Sequence, residues 1–569
     1  MILGLLMQPL ILLKCQRFLS KNRTLRFQML YNLNMIKKIS CLLTLLIIAG
    51  CSTESDFEKY KEHVVTLSSD EFEGRAPGTP GGIKTKNYIA NHFESLGIKS
   101  FGDSYLMGVD LTGITLDENE SSFNLEVYGE TLDIRYRSDV VYGTTRQVEN
   151  VSFENSDLVF VGYGVNAPEY GWNDYKVDVK GKTVVMLIND PGFELQSTEF
   201  NGRAMTYYGR WTYKFEEAAR QGAAGVLIIH ETAPASYPWG VVENGWSGEQ
   251  LNLTFKDKNL GRSALEGWIT LDVAESLFAK MNTTYAEMKS KALSKNFQPI
   301  PMEGMKLSSN MVSSIRTTES HNVVGYVEGS EAPEEFVLIM GHWDHMGIDT
   351  SIEGDQIYNG AVDNATGTAA VMHMAEIFSK RSPKRSVAFI GLTAEESGLL
   401  GSAYLAEYPP FEYGNVIGGL NLDAFPAIGK AKDITIVGYG ASELEAVLDK
   451  HASAEGKYLA PDKVPERGYF YRSDHINFAK KGIPMIYADP GVDLVNGGTE
   501  KGLELGNQYT ANDYHKPSDE VRDDWDWEGI EQDMGIFANF IDDLANSGEY
   551  PNWYVSSEFR AIRDETRNN

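Results

Sequence analysis

FVLIMGHWDHMG at 336–347 decides the fold: five apolar residues, Phe336–Met340, are followed at once by a glycine and a histidine, His342. An apolar run of that length, cut off by polar residues, reads as a strand buried on both faces with chemistry at its carboxyl end. The pattern returns at Ser386–Leu392, which runs into LTAEESGLLGS at 392–402, and at Val416–Leu422, which runs into NLDAF at 421–425. Ile434–Val437 and Met485–Ala488 are two more short strand candidates. Between these runs the period changes to that of a helix. Thr366–Lys380 aligns Ala370, Met374, Ile377 and Phe378, and Trp527–Asn546 aligns Ile530, Met534, Phe537, Ile541 and Leu544. Strands alternating with helices predict an α/β fold, a mostly parallel central sheet flanked by helices. Open sheets of this kind place their sites beyond the carboxyl ends of strands, where His342, Glu396 and Asp423 fall.

In chain order His342, Asp363, Glu396, Asp423 and His515 offer imidazoles and carboxylates without a thiolate, a donor set suited to zinc, manganese or cobalt. Five such residues serve two metals only if one carboxylate gives an oxygen to each. The strings GHWDHMG at 341–347, NGAVDNATGTA at 359–369, LTAEESGLLGS, NLDAF and YHKPSD at 514–519 together resemble the M28 family of zinc peptidases, mostly aminopeptidases with some carboxypeptidases. The resemblance implies two zinc ions, with Asp363 shared, His342 and Asp423 completing one site, and Glu396 and His515 the other. It gives Glu395 the part of general base toward metal-activated water and then of general acid toward the leaving amine. Adjacent side chains in an extended segment point apart, so Glu395 is not expected to chelate the metal of Glu396. Asp344 is expected to orient the His342 imidazole.

The string YRSDHINFAKKGIPMI at 471–486 resembles the family's segment between the fourth and fifth ligands and puts Ser473, Asp474 and His475 near the cleft. Asp474 and His475 are the candidate contacts to substrate or transition state, with a packed structural histidine as the alternative for His475. Tyr509 and Tyr514 are expected to line the pocket. His345 is read as supporting the ligands from outside or facing solvent, and His63, His92, His230, His321, His373 and His451 as structural.

Residues 1–50 stand apart from the fold. Lys37 and Lys38 precede the apolar Ile39–Ile48, which runs into Ala49-Gly50-Cys51. This resembles a bacterial lipoprotein signal with Met35 as the natural initiator and Cys51 as the lipidated residue; the alternative is an uncleaved anchor. Neither this stretch nor Ile2–Leu13 reaches the roughly 18 apolar residues of a membrane span. The expected location is extracytoplasmic, with membrane attachment through lipid at Cys51. The remaining cysteines, Cys15 and Cys41, lie within the signal region, so no disulfide framework follows. Seven of the 51 basic residues also lie there, with no acid, which takes the rest of the chain from −29 to −36. Such a surface argues against nucleic acid and anionic headgroups as partners.

From Cys51 the chain exceeds what one core organises. Residues 52–150 are expected to open a peptidase domain, with a helical stripe over Asn87–Leu96, and residues 310–546 to form its catalytic part. Between them, 155–275 shows strands at Leu158–Val165, Thr183–Ile188 and Gly225–Ile229 and a helix at Trp211–Gln221. VDVKGKTVVMLIND and FEEAARQGAAGVLII in this stretch resemble the smaller, β-rich protease-associated domain inserted in longer M28 members, which is taken to lid the active site. The expected function is a co-catalytic dizinc exopeptidase that removes amino-terminal residues from peptides. An M28-type carboxypeptidase would need a cationic cluster, for which Arg472 is one candidate. A glutaminyl cyclase with one zinc and a non-catalytic binding homologue both conflict with the five retained donors.

Overall fold

The computed structural model describes residues 56–195 and 199–568; the signal region 1–50, Met35 and Cys51 lie outside the described residues. The chain divides into two compact units, Met1–Lys59 and Tyr60–Asn569, and the second holds two sheets that share one strand. In chain order its site-bearing half uses helices α1 (Asp56–Leu67) and α2 (Pro80–Ser95), strands β1 (Leu106–Leu116), β2 (Ile300–Val327) and β3 (Ala332–His342), helix α3 (Thr366–Ser379), strands β4 (Arg385–Leu392), β5 (Val416–Asn421), β6 (Asp433–Val437), β7 (Tyr458–Pro461) and β8 (Met485–Pro490), and helix α4 (Glu528–Asn546).

Strands β4, β3, β5 and β8 run parallel in that spatial order. Antiparallel β6 borders β8 with β7 beyond it, and antiparallel β2 borders β4 with β1 beyond it. The predicted α/β architecture is therefore present, parallel at its centre and antiparallel at its margins. Val337, Leu338, Ile339 and Met340 of β3 are all fully buried, which is why the run shows no polar alternation. Each such side chain contributes about 1.5–3 kcal/mol by leaving water. Helix α3 is buried from Thr366 to Glu376 because it is wedged between the sheet and helices α2 and α4. Pro80 occupies the first turn of α2, and the Thr79 hydroxyl accepts from Gly82 N at 3.2 Å, so the Gly/Pro-rich segment before it works as a helix start.

The lower half of β2 belongs to the second sheet, pairing with Ser122–Val127 and Asn150–Phe160. Next to Asn150–Phe160 lie Thr183–Leu187, Gly225–Ile229 and Leu265–Ile269, all parallel, with Val140–Gly143 antiparallel at the margin. This sheet is packed on both faces, Leu158, Phe160, Leu187 and Leu227 on one side and Val184, Met186, Ile228 and Trp268 on the other. The helix Trp211–Arg220 connects two of its strands. The strand read at Leu158–Val165 ends instead at Phe160, because Gly162 and Gly164 take φ of 59° and 65° and turn the chain out of the sheet. Residues before 150 divide between the two sheets, since Ser122–Val127 and Val140–Gly143 pair in the second. Lys480 Nζ donates to Tyr207 Oη at 2.8 Å and Met205 N donates to Pro465 O at 3.2 Å, joining the loop before Trp211–Arg220 to the site-bearing half.

Candidate metal centre

The strand ends bring the chemistry together. His342 is the last residue of β3, Asp423 lies two residues past β5, and the register pairs Met340 with Asn421, so both side chains leave the sheet at one edge. His342 pairs with Leu392 of β4, beyond which Ala394 takes a left-handed φ of 53° and turns Glu395 and Glu396 over the same edge. Asp363 precedes α3, and its peptide bond to Asn364 is cis. Asn364 Nδ2 donates to His342 O and Leu422 O, both at 3.2 Å, while its Oδ1 accepts from Gly367 N and Ala424 N. Three loops are thereby tied at one side chain. Gly367 is required there, since a Cβ would lie 2.1 Å from Asn364 Oδ1 and 2.4 Å from Leu422 O.

The donors form two groups that share Asp363. His342 Nε2 lies 3.2 Å from Asp423 Oδ1 and 3.4 Å from Asp363 Oδ1. His515 Nε2 lies 3.2 Å from Asp363 Oδ2 and 3.1 Å from Glu396 Oε2, without a directed hydrogen bond to either. Donors about 2.0–2.2 Å from a tetrahedral zinc are roughly 3.3–3.5 Å apart, close to these separations. His345 adds to the second group, with Nδ1 2.6 Å from Glu396 Oε1 and Nε2 buried without a hydrogen-bond partner. Ser473 Oγ donates to Asp423 Oδ2 at 2.6 Å, and Asp519 accepts from Val362 N and Asp363 N at 3.0 and 3.1 Å.

The electrostatics fit cations. Burial pushes Glu395 well above the usual carboxylate range; His342 pulls it down, but Glu396, Asp423 and Asp474 add to the rise. Burial raises Asp344 and Asp474 to about 7, against the pull of His342. Burial would lower His515, yet Glu396 and Asp363 push it up to about 10. Burial would raise Glu396, yet His515 and His345 together outweigh it and hold it at about 2. Buried carboxylates in excess, with imidazole nitrogens aimed among them, are a donor set that two divalent cations would satisfy.

The structure thus brings together His342, Asp363, Glu396, Asp423 and His515, with Glu395 beside them. Asp344 is placed differently from the expectation: its carboxylate is 3.9 Å from His342 Nδ1, which meets the Asp344 backbone carbonyl at 3.1 Å instead. The Asp344 carboxylate accepts from Glu395 N and Glu396 N at 3.1 and 3.3 Å, holding the turn that carries both glutamates. His345 does not face solvent, because the chain folds back after β3 and buries it against Glu396. His475 is fully buried, its ring against Phe470 and Tyr487, and burial lowers it to about 3. Tyr514 stacks on His515 with centroids 3.9 Å apart, and Tyr509 Oη donates to Asp519 at 3.2 Å.

Arg75 was not singled out by the sequence. Fully buried, it donates to Trp343 O, Leu67 O, Asn359 O and Gly360 O, so one cation braces the segments on both sides of the site. Its signal is faint: an arginine inside the Gly/Pro-rich run GRAPGTPGG at 74–82. Arg210, before the helix Trp211–Arg220, lies within electrostatic reach of Arg472; burial and then Arg472 lower it to about 10. Arg472 also acts on Tyr514, which burial and the carboxylates Asp363, Glu396 and Glu395 push up.

Residues 322–541, which contain all five donors, match the model of Peptidase family M28. A "probable zinc metalloprotease" of Leptosphaeria maculans is 39% identical over 102 residues, 18% of this chain and 23% of the relative. A "glutamate carboxypeptidase 2 homolog" of Caenorhabditis elegans is 32% identical over 112 residues, 19% of this chain and 13% of the relative. The chain spans less than a third of the length of these curated relatives. Among solved structures, an aminopeptidase from Aneurinibacillus sp. strain AM-1 is 19% identical with a TM-score of 0.49, covering 87% of this chain and 95% of that one.

Proposed function

With the site carried by a segment that matches the M28 peptidase model, we propose that the chain is a zinc-dependent exopeptidase that removes residues from the amino end of peptides. His342, Asp363 and Asp423 would hold one zinc ion, and Asp363, Glu396 and His515 a second. The observation that carries this reading is Asp363: its two oxygens face different imidazoles, Oδ1 toward His342 and Oδ2 toward His515, each within a separate donor group. Zinc, when bound, supplies Lewis acidity that lowers the pKa of water to about 7 and polarises a carbonyl.

The remaining work falls to the chain's own side chains. Glu395 accepts the proton of the attacking water at its carboxylate and returns it to the leaving amine. Burial and the neighbouring carboxylates raise its pKa, which makes it a stronger base than an exposed glutamate. Asp344 fixes Glu395 and Glu396 through their backbone N–H groups, and Ser473 fixes Asp423. The surplus of carboxylates favours a substrate amine over a substrate carboxylate at this edge of the sheet.

A second reading, carboxypeptidase action, is favoured by Arg472, which lies within electrostatic reach of both Arg210 and Tyr514 and with Arg210 would give two cations suited to a terminal carboxylate. Aminoacyl chromogenic amides decide between the two. Hydrolysis of free-amine substrates and loss of turnover on acetylation are expected. Trimming of acetylated peptides from the carboxyl end, with free-amine amides untouched, replaces the reading with carboxypeptidase. A chain that takes up no zinc at all is a binding protein. The location proposed is extracytoplasmic, through lipid at Cys51: Cys51→Ser should release the protein from membranes without changing its turnover, and retention on membranes would point to an uncleaved anchor.

A further inference from the structure

A second group of imidazoles converges outside the centre described above. His63 on α1 and His92 on α2 meet over Glu376 of α3, which lies ten residues past Thr366, roughly 15 Å along the helix at 1.5 Å per residue. His63 Nε2 is 3.6 Å and His92 Nε2 is 3.5 Å from Glu376 Oε1. The two rings approach edge to face with centroids 4.6 Å apart, and the three donor atoms all lie within 4.8 Å of one another. His373, one turn before Glu376, places Nδ1 3.6 Å from the other oxygen, Oε2.

Three features set this group apart from an ordinary buried ion pair. The first is separation: 3.5–3.6 Å is long for a hydrogen bond, whose usual N···O range is about 2.7–3.2 Å, and close to the roughly 3.3–3.5 Å edge of a tetrahedral zinc site. The second is His63 itself, only 8% exposed, whose Nε2 makes no hydrogen bond while Nδ1 is fixed by Tyr88 Oη at 2.7 Å. Metal-binding imidazoles are commonly oriented through their second nitrogen in this way. The third is composition: three imidazoles gather on one carboxylate, and two imidazole nitrogens with a carboxylate oxygen are the donor types of a zinc site.

We propose that His63 Nε2, His92 Nε2 and Glu376 Oε1 form a further divalent-cation site of the zinc class, with His373 orienting the Glu376 carboxylate. The ion would join α1 and α2 to α3, the helix that begins directly after Asp363 and Asn364. Its role is to hold the helical layer against the sheet, and it makes no contact with the reacting atoms.

The test is zinc alone, titrated into metal-stripped protein, with bound metal counted by mass spectrometry after gel filtration. H92Q and E376Q should each hold one zinc fewer than the wild type, and D363N should keep one zinc after losing those that depend on the shared carboxylate. Zinc should also raise the melting temperature of D363N but not of D363N/H92Q. Equal zinc in wild type, H92Q and E376Q overturns the proposal. Should both of those variants fail to fold, D363N decides: one retained zinc supports the site and none overturns it. If D363N keeps all the zinc of the wild type, the shared-carboxylate reading of the main centre fails, and the comparison with H92Q or E376Q still decides this one.

Discussion

The two sheets treat buried charge in opposite ways. In the second sheet Asp190 accepts from Thr206 N, Thr206 Oγ1 and Gly192 N, Asp174 accepts from Val165 N and Trp172 Nε1, and Lys214 Nζ donates to Tyr163 O and Tyr208 O. Each of these three groups is closed by donors or acceptors of the chain. At the strand ends of the site-bearing sheet, His345 Nε2 and His515 Nε2 are buried without hydrogen bonds, and Asp363 stands between two imidazoles. Burial alone is therefore no sign of chemistry. A buried charge satisfied by the protein is structural, whereas a group whose nitrogens and oxygens converge on a common point is built for something the chain does not supply.

The largest expected effect breaks that convergence at its shared member. Asp363→Asn should release both zinc ions together and abolish turnover, whereas Asp423→Asn or His515→Ala should weaken mainly one ion. Metal analysis of the three variants checks this, and equal loss of a single ion in all three sinks the shared-carboxylate arrangement. Next comes the proton acceptor. Glu395→Gln keeps the side chain's shape, so both ions should stay bound while kcat falls by about 10²–10⁴-fold. Turnover at the wild-type rate would remove Glu395 from the mechanism.

How much of this was legible in the chain depends on where each residue sits. His342, Glu396 and Asp423 announce themselves because each follows an apolar strand whose burial on both faces leaves its carboxyl end as the only polar point. Asp363 and His515 lie in loops and came from the family's strings. His345 was read as peripheral because nothing in GHWDHMG shows the chain folding back after β3 so that His345 joins Glu396. Glu395 and Glu396 sit in a turn set by left-handed Ala394 and held by Asp344, not in an extended strand. Asp519 stands in the quoted YHKPSD string, yet its bonds to Val362 N and Asp363 N exist only in three dimensions. Arg75, and the meeting of His63, His92 and Glu376 from three helices, carry no local pattern at all. Periodicity reports which face is buried, and it is silent on which helices meet.

A smaller effect sharpens the comparison at the margin of the centre. Ser473 touches no predicted reacting atom, but its hydroxyl donates to Asp423 Oδ2 and accepts from Asn421 Nδ2 at 2.8 Å. Removing a group that orients a metal-binding side chain costs about 10–100-fold in metal affinity or activity. Ser473→Ala should therefore lower zinc affinity within that range and leave Asp363-dependent binding of the second ion intact. An unchanged affinity would mean that Asp423 needs no such support, or holds no ion.

The smallest effect on catalysis is expected from the second sheet, where buried charge is closed. Asp190 is fully buried, and burial raises it to about 6, partly offset by its bonds to Thr206 and Gly192. Asp190→Ala leaves those donors without a partner, which costs about 1–3 kcal/mol of stability, read as a lowered denaturant midpoint. Zinc content and kcat should stay as in the wild type, because among the described residues none of the donors around Asp363 bonds to this loop. The value of the variant lies in KM. The segment that Asp190 holds at Thr206 continues into Tyr207, whose hydroxyl accepts from Lys480, and Arg210, within electrostatic reach of Arg472. If the second sheet only carries structure, KM stays constant as stability falls. If KM rises while kcat and zinc content hold, this segment reaches the substrate, and the division between a structural sheet and a chemical one gives way to a cleft built from both.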